Sequence, residues 1–518
     1  MANGTNGEKA TFFGHPRGLA TLFFTEMFER FSYYGMRALL ILFMTKSVME
    51  GGLAFDDQTS GAIYGLYTMG VYILALPGGY LADRLFGLKK SVWYGGIIIA
   101  LGHFTMAIPG ILDVAGITDA TVVSNIDTFP FFIGLILIAV GTGLLKPNIS
   151  SIVGSLYPES ESAKRDAGFS IFYSGINIGA FLAPLITSYL GEQVNWHLGF
   201  GAAGLFMVFG LIQYKMTEQY LVGVGDEPAA DTQEELSSRE KLKKGLFGVV
   251  FVAVGLLALA FMKVIPVDAV YIADISGYLI VAAALAFLGY VIVLGGLDEA
   301  EKKKVYVIGI VFLFSAIFWS GFEQAGSTLN LFADRFTDRE VFGFLIPAGA
   351  LQAVNPLFII IFAPLFGAMW VWLAKRNLDP SSPVKFSLGL ILLGIGFLVM
   401  YFAAKVAASG ELAAPTWLLL TYMFHTFGEL SLSPVGLSLT TKLAPKKFYS
   451  QMMGVWFMSV SLGNLIAGRL GGEISGDGAE ALSQMPDQYM MIVYTTVGAG
   501  VLLLLLAKPI KKMMGNVH

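Results

Sequence analysis

Cysteine is absent from the 518-residue chain, and only 14% of the residues are charged. The absence of cysteine excludes disulfides, thiolate zinc sites, iron–sulfur clusters and cysteine nucleophiles. The scarcity of charge, with 55% hydrophobic residues and a mean hydropathy of +0.69, excludes an ordinary soluble enzyme. A net charge of −4 gives no basic surface for nucleic acid. The composition is that of an integral membrane protein.

Sequence motifs of the common enzymatic sites are also missing. The chain has no GxxxxGK[ST] phosphate loop, no HExxH and no GxSxG, and its five histidines are scattered. These absences leave little support for an ATP-driven pump, a metalloenzyme or an intramembrane hydrolase, so we expect no enzymatic activity and no cofactor. The first residues lack the basic start, short apolar run and cleavage site of a signal peptide. We therefore expect the first helix to remain in the mature protein.

Apolar runs recur about fourteen times, mostly with the roughly 20 residues that cross about 30 Å of hydrocarbon as a helix. Neither their lengths nor the composition suggest a membrane barrel, so we predict an all-α membrane protein. The predicted spans are 19–47, 58–82, 91–111, 129–154, 166–190, 197–215, 245–264, 275–296, 305–330, 341–373, 385–407, 414–440, 449–470 and 489–508.

The order of these spans suggests two halves. We predict an N-terminal six-helix bundle at 1–216, a cytoplasmic linker at 217–244, two additional transmembrane helices at 245–297 and a C-terminal six-helix bundle at 305–518. After the second span, a GxLaDrxGxkk pattern resembles the loop signature of the major facilitator superfamily, whose members have two related six-helix halves. The signature comprises Gly79, Asp83, Arg84, Gly87 and Lys89. A merely basic cytoplasmic loop would explain the lysines but not the Asp-Arg pair.

Charge in the connecting segments predicts the orientation in the membrane. Basic connections such as DRLFGLKK and TKLAPKK, together with the basic tail KPIKKMM, alternate with connections such as MEGGLAFDDQ that contain no lysine or arginine. Because lysine and arginine near helix ends are retained in the cytoplasm, both termini are predicted to be cytoplasmic.

The first span carries a polar stripe. At 100° per residue, its polar side chains fall at i, i+3, i+4, i+7, i+8 and i+11 on one helical face. These residues are Glu26, Glu29, Arg30, Tyr33, Tyr34 and Arg37. A charge at the centre of a bilayer costs about 2.5 to 3.5 kcal/mol, so four charges require partners or a water-filled cavity. The alternative is an ion-pair network that only pins helices together.

Other predicted spans contain possible partners for this stripe. Lys146, Glu323 and Glu429 lie well inside apolar stretches, which argues against charges that snorkel from a helix end. Asn177 and Asn355 add uncharged hydrogen-bonding groups, for which contact between helices is an equal alternative. Intramembrane carboxylates with arginine and lysine, in a bundle of two halves, favour a proton-coupled carrier.

Three motifs in order carry a closer resemblance. ExxERFxYYG begins at Glu26, FYxxINxG begins at Phe172, and GELSLSPVGLS covers Gly428 to Ser438. Together they closely resemble the proton-dependent oligopeptide transporter family. The resemblance implies a symporter that imports di- and tripeptides with protons by alternating access. The additional pair of helices resembles the insertion of prokaryotic members, which implies the bacterial inner membrane.

The resemblance also implies roles for residues. Arg37 and Lys146 would bind the carboxylate of the peptide, and Glu429 would bind its ammonium with help from Asn177 and Asn355. The pocket would be lined by Tyr33, Tyr34, Tyr72, Trp319 and Trp456. For Tyr72 and Trp456, packing or interfacial anchoring is an open alternative. The coupled proton would be carried by Glu323, by Glu26 and Glu29 beside Arg30, or by both sets.

The chain departs from the family pattern in its second span. Some relatives have a histidine there, but this span has none, which excludes coupling through that histidine. His103 lies in the third span, and nothing in the sequence shows that it faces a cavity. Expected partners are a di- or tripeptide, protons and the lipid bilayer, with no nucleic acid, and we expect the monomer to be functional. A carrier of nitrate or another small anion or peptide-like metabolite, a channel and a non-transporting sensor are the alternatives.

Overall fold

The computed structural model describes residues 11–114, 128–228, 232–474 and 478–515. Within these residues, eleven helical segments are long and apolar enough to cross a membrane. Three further long helices with more polar faces, Gly18–Thr45, Thr416–Leu443 and Tyr449–Ile474, bring the total to fourteen. The predicted all-α architecture and number of spans are confirmed. The two ends of the chain, 1–10 and 516–518, and parts of three connections, 115–127, 229–231 and 475–477, lie outside the described residues.

Six spans form the first half of the chain. Their helices are α1 (Gly18–Thr45), α2 (Asp57–Ile73), α3 (Ala75–Leu81), α4 (Leu88–Val114), α5 (Thr128–Ser155), α6 (Ser162–Gln193) and α7 (Trp196–Thr217). The second span is divided into α2 and α3 at Leu74. The cause is Pro77, which has no amide hydrogen to donate to the carbonyl of Ile73.

The remaining eight spans comprise an inserted pair and a second set of six. The pair is α8 (Gln233–Phe261) and α9 (Ala269–Leu294). The second set is α10 (Glu299–Phe322), α11 (Thr328–Phe336), α12 (Val354–Lys375), α13 (Ser382–Ala408), α14 (Thr416–Leu443), α15 (Tyr449–Ile474) and α16 (Ala479–Met514). α10 and α11 belong to one span that is interrupted by a 3-10 turn at Glu323–Gly326.

The predicted span at 341–373 is wrong at its start. A short hairpin of β1 (Glu340–Val341) and β2 (Phe344–Leu345) lies there, and α12 begins only at Val354. The turn places Phe342 and Gly343 at positive φ, a conformation that ends any helix. The segment is apolar in sequence, and hydropathy alone does not separate such a hairpin from a membrane helix.

Helical segments fall inside the predicted linker at 217–244, because a 3-10 turn covers Glu218–Leu221 and α8 begins at Gln233. Thr232 and Glu235 form a capping box, in which each side chain accepts a hydrogen bond from the other residue's backbone amide. The preceding segment packs on the signature loop between α3 and α4. Lys89 pairs with Asp226, and Lys90 Nζ lies 3.0 Å from Glu227 Oε2.

The two halves approach each other most closely where α2 crosses α15. Gly61 and Gly65 of α2 face Gly468 and Gly472 of α15, and a Cβ atom at Gly65 would lie only 2.8 Å from the carbonyl oxygen of Leu465. Small residues at this spacing let helix backbones touch. On the opposite side of the molecule, α6 packs against α12 and the 3-10 turn before it. These two seams frame the space that contains the polar residues.

Candidate functional site

The polar stripe of α1 points into the protein. Glu26, Glu29 and Arg30 are at most 3% exposed. Arg30 Nε lies 2.9 Å from Glu26 Oε1 and 2.5 Å from Glu29 Oε2, so one guanidinium serves two carboxylates. The predicted wet face is therefore an interior ion cluster, with one positive and two negative charges when all three groups are ionised. Another cation nearby would balance it.

Lys146 of α5 supplies a cation close to this cluster. Its ammonium lies within electrostatic reach of Glu29 and Glu26, and its Nζ is 4.0 Å from the centre of the Tyr72 ring. Tyr72 is on the face of α2 that points toward α5, so the ring and the ammonium form a cation–π contact. The Arg30 guanidinium similarly lies 5.6 Å from the ring of Tyr33. Lys146 is only partly buried, which leaves it accessible to a ligand.

A second ion pair joins the two halves. Arg37 Nη1 of α1 lies 2.9 Å from Glu323 Oε2, and both side chains are at most 8% exposed. Glu323 occupies the 3-10 turn where α10 stops, so the helix is interrupted at its charged residue. Gly326 in that turn lies against Arg37 Nε and the hydroxyl of Tyr64, where a Cβ atom would clash. Interrupted membrane helices of this kind commonly form substrate and ion sites in transporters.

Glu429 forms a third polar group on α14. Asn355 Nδ2 of α12 donates to Glu429 Oε2 at 3.3 Å and to Thr426 Oγ1 at 2.9 Å. Glu429 lies within electrostatic reach of both Arg37 and Glu323. The site therefore has a cationic side on α1 and α5 and an anionic side on α14.

Tyr34 lies between these groups. Its hydroxyl is within electrostatic reach of Arg30, Arg37, Glu323 and Glu429, and the Arg37 guanidinium lies 5.5 Å from its ring. Trp319, one helical turn before Glu323, is 9% exposed. The structure thus gathers most of the site residues predicted from the sequence around one centre.

Two predicted site residues have different surroundings. Asn177 Nδ2 donates to the carbonyl of Tyr173 in its own helix at 3.0 Å, and no contact within the described residues joins it to Glu429. Trp456 is 6% exposed and lies where a Cβ atom on Gly436 would meet its ring, so it packs between α14 and α15. Their roles toward a substrate stay predictions.

The sequence interpretation missed Tyr64. This residue is fully buried beside Arg37 and lies against the interrupted turn of α10. A signal was present, because Tyr64, Thr68 and Tyr72 follow each other at four-residue intervals on one face of the second span. His103, by contrast, is buried against α1, where its Nε2 lies 2.6 Å from Ser32 Oγ.

A group of ion pairs closes one end of the space between the halves. We call this the sealed end; it carries the C-terminus of α1, the N-terminus of α2, α11 and the β-hairpin. Arg335 donates to both carboxylate oxygens of Asp57 at 2.7 and 2.8 Å. Lys46 Nζ lies 2.8 Å from Asp334 Oδ2. The sequence interpretation missed these pairs because single charges at span ends look like ordinary interfacial residues.

Glu192 also stabilises the sealed end, and its partners include backbone amides as well as a side chain. Its carboxylate accepts hydrogen bonds from the backbone amides of Ala348 and Gly349 at 2.7 and 2.8 Å. Arg339 lies 3.6 Å from Glu192 and 3.2 Å from Asp334. Residues of both halves therefore contribute to the closure.

Comparison with known proteins identifies the family. A sequence model of the PTR2 or POT family matches residues 89–472. The chain belongs to the POT family. The predicted resemblance is thereby confirmed. The peptide transporter YePEPT of Yersinia enterocolitica subsp. palearctica is 39% identical, over 98% of this chain and 96% of that protein. A di-/tripeptide transporter of Lactococcus lactis subsp. lactis is 34% identical, over 99% of both chains.

Solved structures of POT proteins have the same fold. A variant of a peptide transporter POT bound to alafosfalin superposes with a TM-score of 0.85 at 37% identity, covering 98% of each chain. A POT family transporter bound to 5-aminolevulinic acid superposes with a TM-score of 0.84 at 31% identity, covering 97% of this chain and 98% of that one. The chain is a multi-pass membrane protein of a transporter family, not of an enzyme family.

Proposed function

We propose that this POT protein imports di- and tripeptides together with protons by alternating access. The observation that carries the proposal is the pair of opposed poles, with Arg37 and Lys146 on one side and Glu429 on the other. A dipeptide is a zwitterion with a fixed separation of charge, so opposed poles select for it. The names of the two relatives support a peptide substrate.

Substrate recognition would follow the charges of the site. The peptide carboxylate would bind Arg37 and Lys146, whose donors match its oxygens. The free ammonium would bind Glu429, which Asn355 holds in place through the 3.3 Å hydrogen bond. Aromatic residues would contact the backbone and side chains: Tyr33, Tyr34, Tyr72, Trp319 and Trp456. Asn177 would join this set only after a rearrangement of its side chain.

Proton coupling would arise from competition for Arg37. In an outward-facing state, a protonated Glu323 would leave Arg37 available to the peptide carboxylate. After inward opening and release of the peptide, Glu323 would lose its proton and form the 2.9 Å pair seen here. Pairing with arginine favours the ionised carboxylate and burial favours the neutral one, so alternation between them loads and unloads a proton. Glu26 and Glu29, with Arg30 and Lys146, would form a second network linking protonation to movement of the halves.

The direction of opening follows from the predicted orientation. The connection between α1 and α2 contains no lysine or arginine apart from Lys46 at the helix end, which supports a sealed end outside the cell. The structure would then be an inward-facing state with both termini in the cytoplasm. We expect the monomer to be functional.

Uptake by purified protein in lipid vesicles tests the function. We expect radiolabelled dialanine to accumulate when the vesicle interior is alkaline and accumulation to collapse when a protonophore is added. Unlabelled 5-aminolevulinic acid, which is also an amine with a carboxylate, should compete more strongly than nitrate. Uptake that is the same with and without the proton gradient would contradict coupling of peptide transport to protons. Strong competition by nitrate would favour an anion carrier.

A further inference from the structure

A basic cavity lies away from the proposed peptide site, among the ends of α12, α13, α14 and α16. Its volume is about 570 Å³. Its polar lining includes Lys385, Lys442, Lys511 and Asp379, so these ionised side chains give a net charge of +2. The cavity is on the opposite side of α14 from Glu429, because Pro434 and Ser438 are rotated by about 140° and 180° from Glu429 at 100° per residue. This cavity is therefore separate from the peptide site.

The side chains around the cavity are suited to an anion. Lys385 Nζ lies 2.8 Å from Asp379 Oδ1 and 4.6 Å from the centre of the Trp370 ring. Lys442 and Lys511 approach from the last turns of α14 and α16. The N-terminus of α13, a helix of 27 residues, begins at the same cavity, and its N-cap Ser381 makes no side-chain capping bond. The positive end of that helix dipole adds to the lysines.

The cavity also has an apolar part and a position at the membrane surface. Leu430, Val435, Leu439 and Met514 line it together with the polar groups. Trp370 and Trp372 are on the last turns of α12, and the guanidinium of Arg376 lies 4.1 Å from the ring of Trp372. Tryptophan with arginine or lysine marks the level of the lipid headgroups. An amphiphilic ligand in the cavity would place its anionic group among the lysines and its apolar chain beside α12.

We propose that this cavity binds the phosphate headgroup of an anionic phospholipid from the cytoplasmic leaflet. Basic pockets between membrane helices on that side are suited to such headgroups. A free phosphate shares the anionic group, but it does not use the apolar lining or the position beside lipid-facing α12. The bound lipid would tie the end of α14 to the ends of α13 and α16. This inference does not depend on which substrate the central site carries.

Native mass spectrometry of the full-length protein in detergent tests the site. We expect phosphatidylglycerol to stay bound under detergent conditions that remove phosphatidylcholine with the same acyl chains. Replacing Lys442→Gln and Lys511→Gln together should weaken phosphatidylglycerol binding by roughly fivefold per lysine. The matched control is Lys446→Gln with Lys512→Gln, because these exposed lysines are neighbours that do not line the cavity. Equal weakening in both double variants, or none in the first, would overturn the site.

Two further measurements separate the sources of the anion and check the location. If millimolar inorganic phosphate displaces phosphatidylglycerol, the cavity binds a free anion and the lipid assignment is wrong. Brominated phosphatidylglycerol should quench the tryptophan fluorescence of the protein, and it should quench less in the Trp370→Phe variant. This measurement leaves all the lysines unchanged. Unaltered quenching in that variant would place the lipid elsewhere.

Discussion

Glu323 and Glu429 belong to the same half of the protein, yet they have different partners. Glu323 pairs with a guanidinium of the other half at 2.9 Å, whereas Glu429 accepts a hydrogen bond from the neutral amide of Asn355. A carboxylate paired with arginine must give up that partner before the arginine can bind a substrate. A carboxylate held by a neutral amide does not have to release an arginine before it binds an ammonium group. The two residues are thus suited to different tasks.

We expect Glu323→Gln to abolish dialanine accumulation driven by a proton gradient while sparing exchange of labelled for unlabelled peptide. Glutamine cannot release a proton, but it leaves Arg37 available to the peptide carboxylate. Vesicle uptake and counterflow assays measure the two activities separately. Glu411→Gln, at an exposed position after α13, is the control and should leave both activities intact. Normal gradient-driven accumulation in the Glu323 variant would rule out its coupling role.

We expect Glu429→Gln to weaken dialanine binding by roughly tenfold or more, since a hydrogen bond to a charged group contributes about 1.5 to 3 kcal/mol. N-acetyl-dialanine, which has no ammonium, should bind the variant and the unaltered protein alike. Competition against labelled peptide gives both affinities. If both compounds weaken equally, Glu429 does not bind the amino terminus.

The sequence alone predicted Glu323 and Glu429 as site residues, because charge inside an apolar span has few structural explanations. It did not predict Asn177's bond to its own helix, because an asparagine has several nearby backbone acceptors and the pattern does not choose among them. It also did not predict Tyr64 beside Arg37. That contact depends on the 3-10 turn at Glu323, which brings Gly326 against Tyr64.

At the level of elements, the crossing of α2 and α15 shows how the halves meet. Backbones approach at Gly65 and Gly468, while a Cβ atom added at Gly70, further along α2, would meet no atom within 4 Å. The closest backbone approach is at Gly61 and Gly65, near the sealed end of α2, and Met69 and Ile73 continue the packing through their side chains. A wedge at Gly65 should act first on the closure of that end.

We expect Gly65→Leu to open the sealed end, because its side chain would push on the backbone at Leu465. Overpacking of this kind costs about 1 to 3 kcal/mol. Since the chain has no cysteine, labels at Met49→Cys and Phe344→Cys, one exposed residue on each half, report the distance by electron paramagnetic resonance. The longer distance should become more populated. Gly70→Leu is the matched control, and an equal shift in it would contradict the wedge.

Element boundaries were predictable where sequence signals were local. The capping box at Thr232 and Glu235 is a local signal for the start of α8, within the predicted linker of 217–244. The hairpin at Glu340–Leu345 was not predictable from the sequence. Its strands are only two residues each, and its residues are as apolar as those of a membrane helix. The glycines of α2 and α15 become informative only when the structure shows that they face each other.

On the scale of the whole molecule, ion pairs between the halves hold the sealed end together. Asp57 and Arg335 form a two-pronged pair with both side chains 18% exposed. The pair must break whenever the protein opens at that end. Its strength therefore contributes to the balance between the two states.

We expect Asp57→Asn to raise the population of molecules opened at the sealed end. Loss of a partly exposed pair costs about 1 kcal/mol, which corresponds to roughly a fivefold shift. The labels at Met49→Cys and Phe344→Cys measure it. The charge-reversed double variant Asp57→Arg with Arg335→Asp should partly restore closure. A double variant as open as Asp57→Asn would indicate that the pair itself is not responsible.

We expect a membrane potential to drive dialanine uptake at equal pH on both sides, because a neutral zwitterion moving with a proton carries positive charge inward. A potential of 100 mV contributes about 2.3 kcal/mol per charge, or roughly 50-fold accumulation for one proton. A potassium gradient with valinomycin supplies this potential in vesicles. Accumulation that is unchanged when the potential is reversed would exclude net movement of charge.

α9 packs against α2 of the first half and against α10 and α15 of the second. Asp274 Oδ1 of α9 lies 2.8 Å from Arg469 Nε of α15, and Ala273 packs with Ala62 and Leu465. No equivalent helix within the described residues covers the seam between α6 and α12. Acyl chains of the bilayer can therefore directly contact only the seam between α6 and α12. Bilayer thickness and dissolved hydrophobic compounds should act on this protein from one side, as an uneven lateral pressure that a symmetric pair of bundles would not experience.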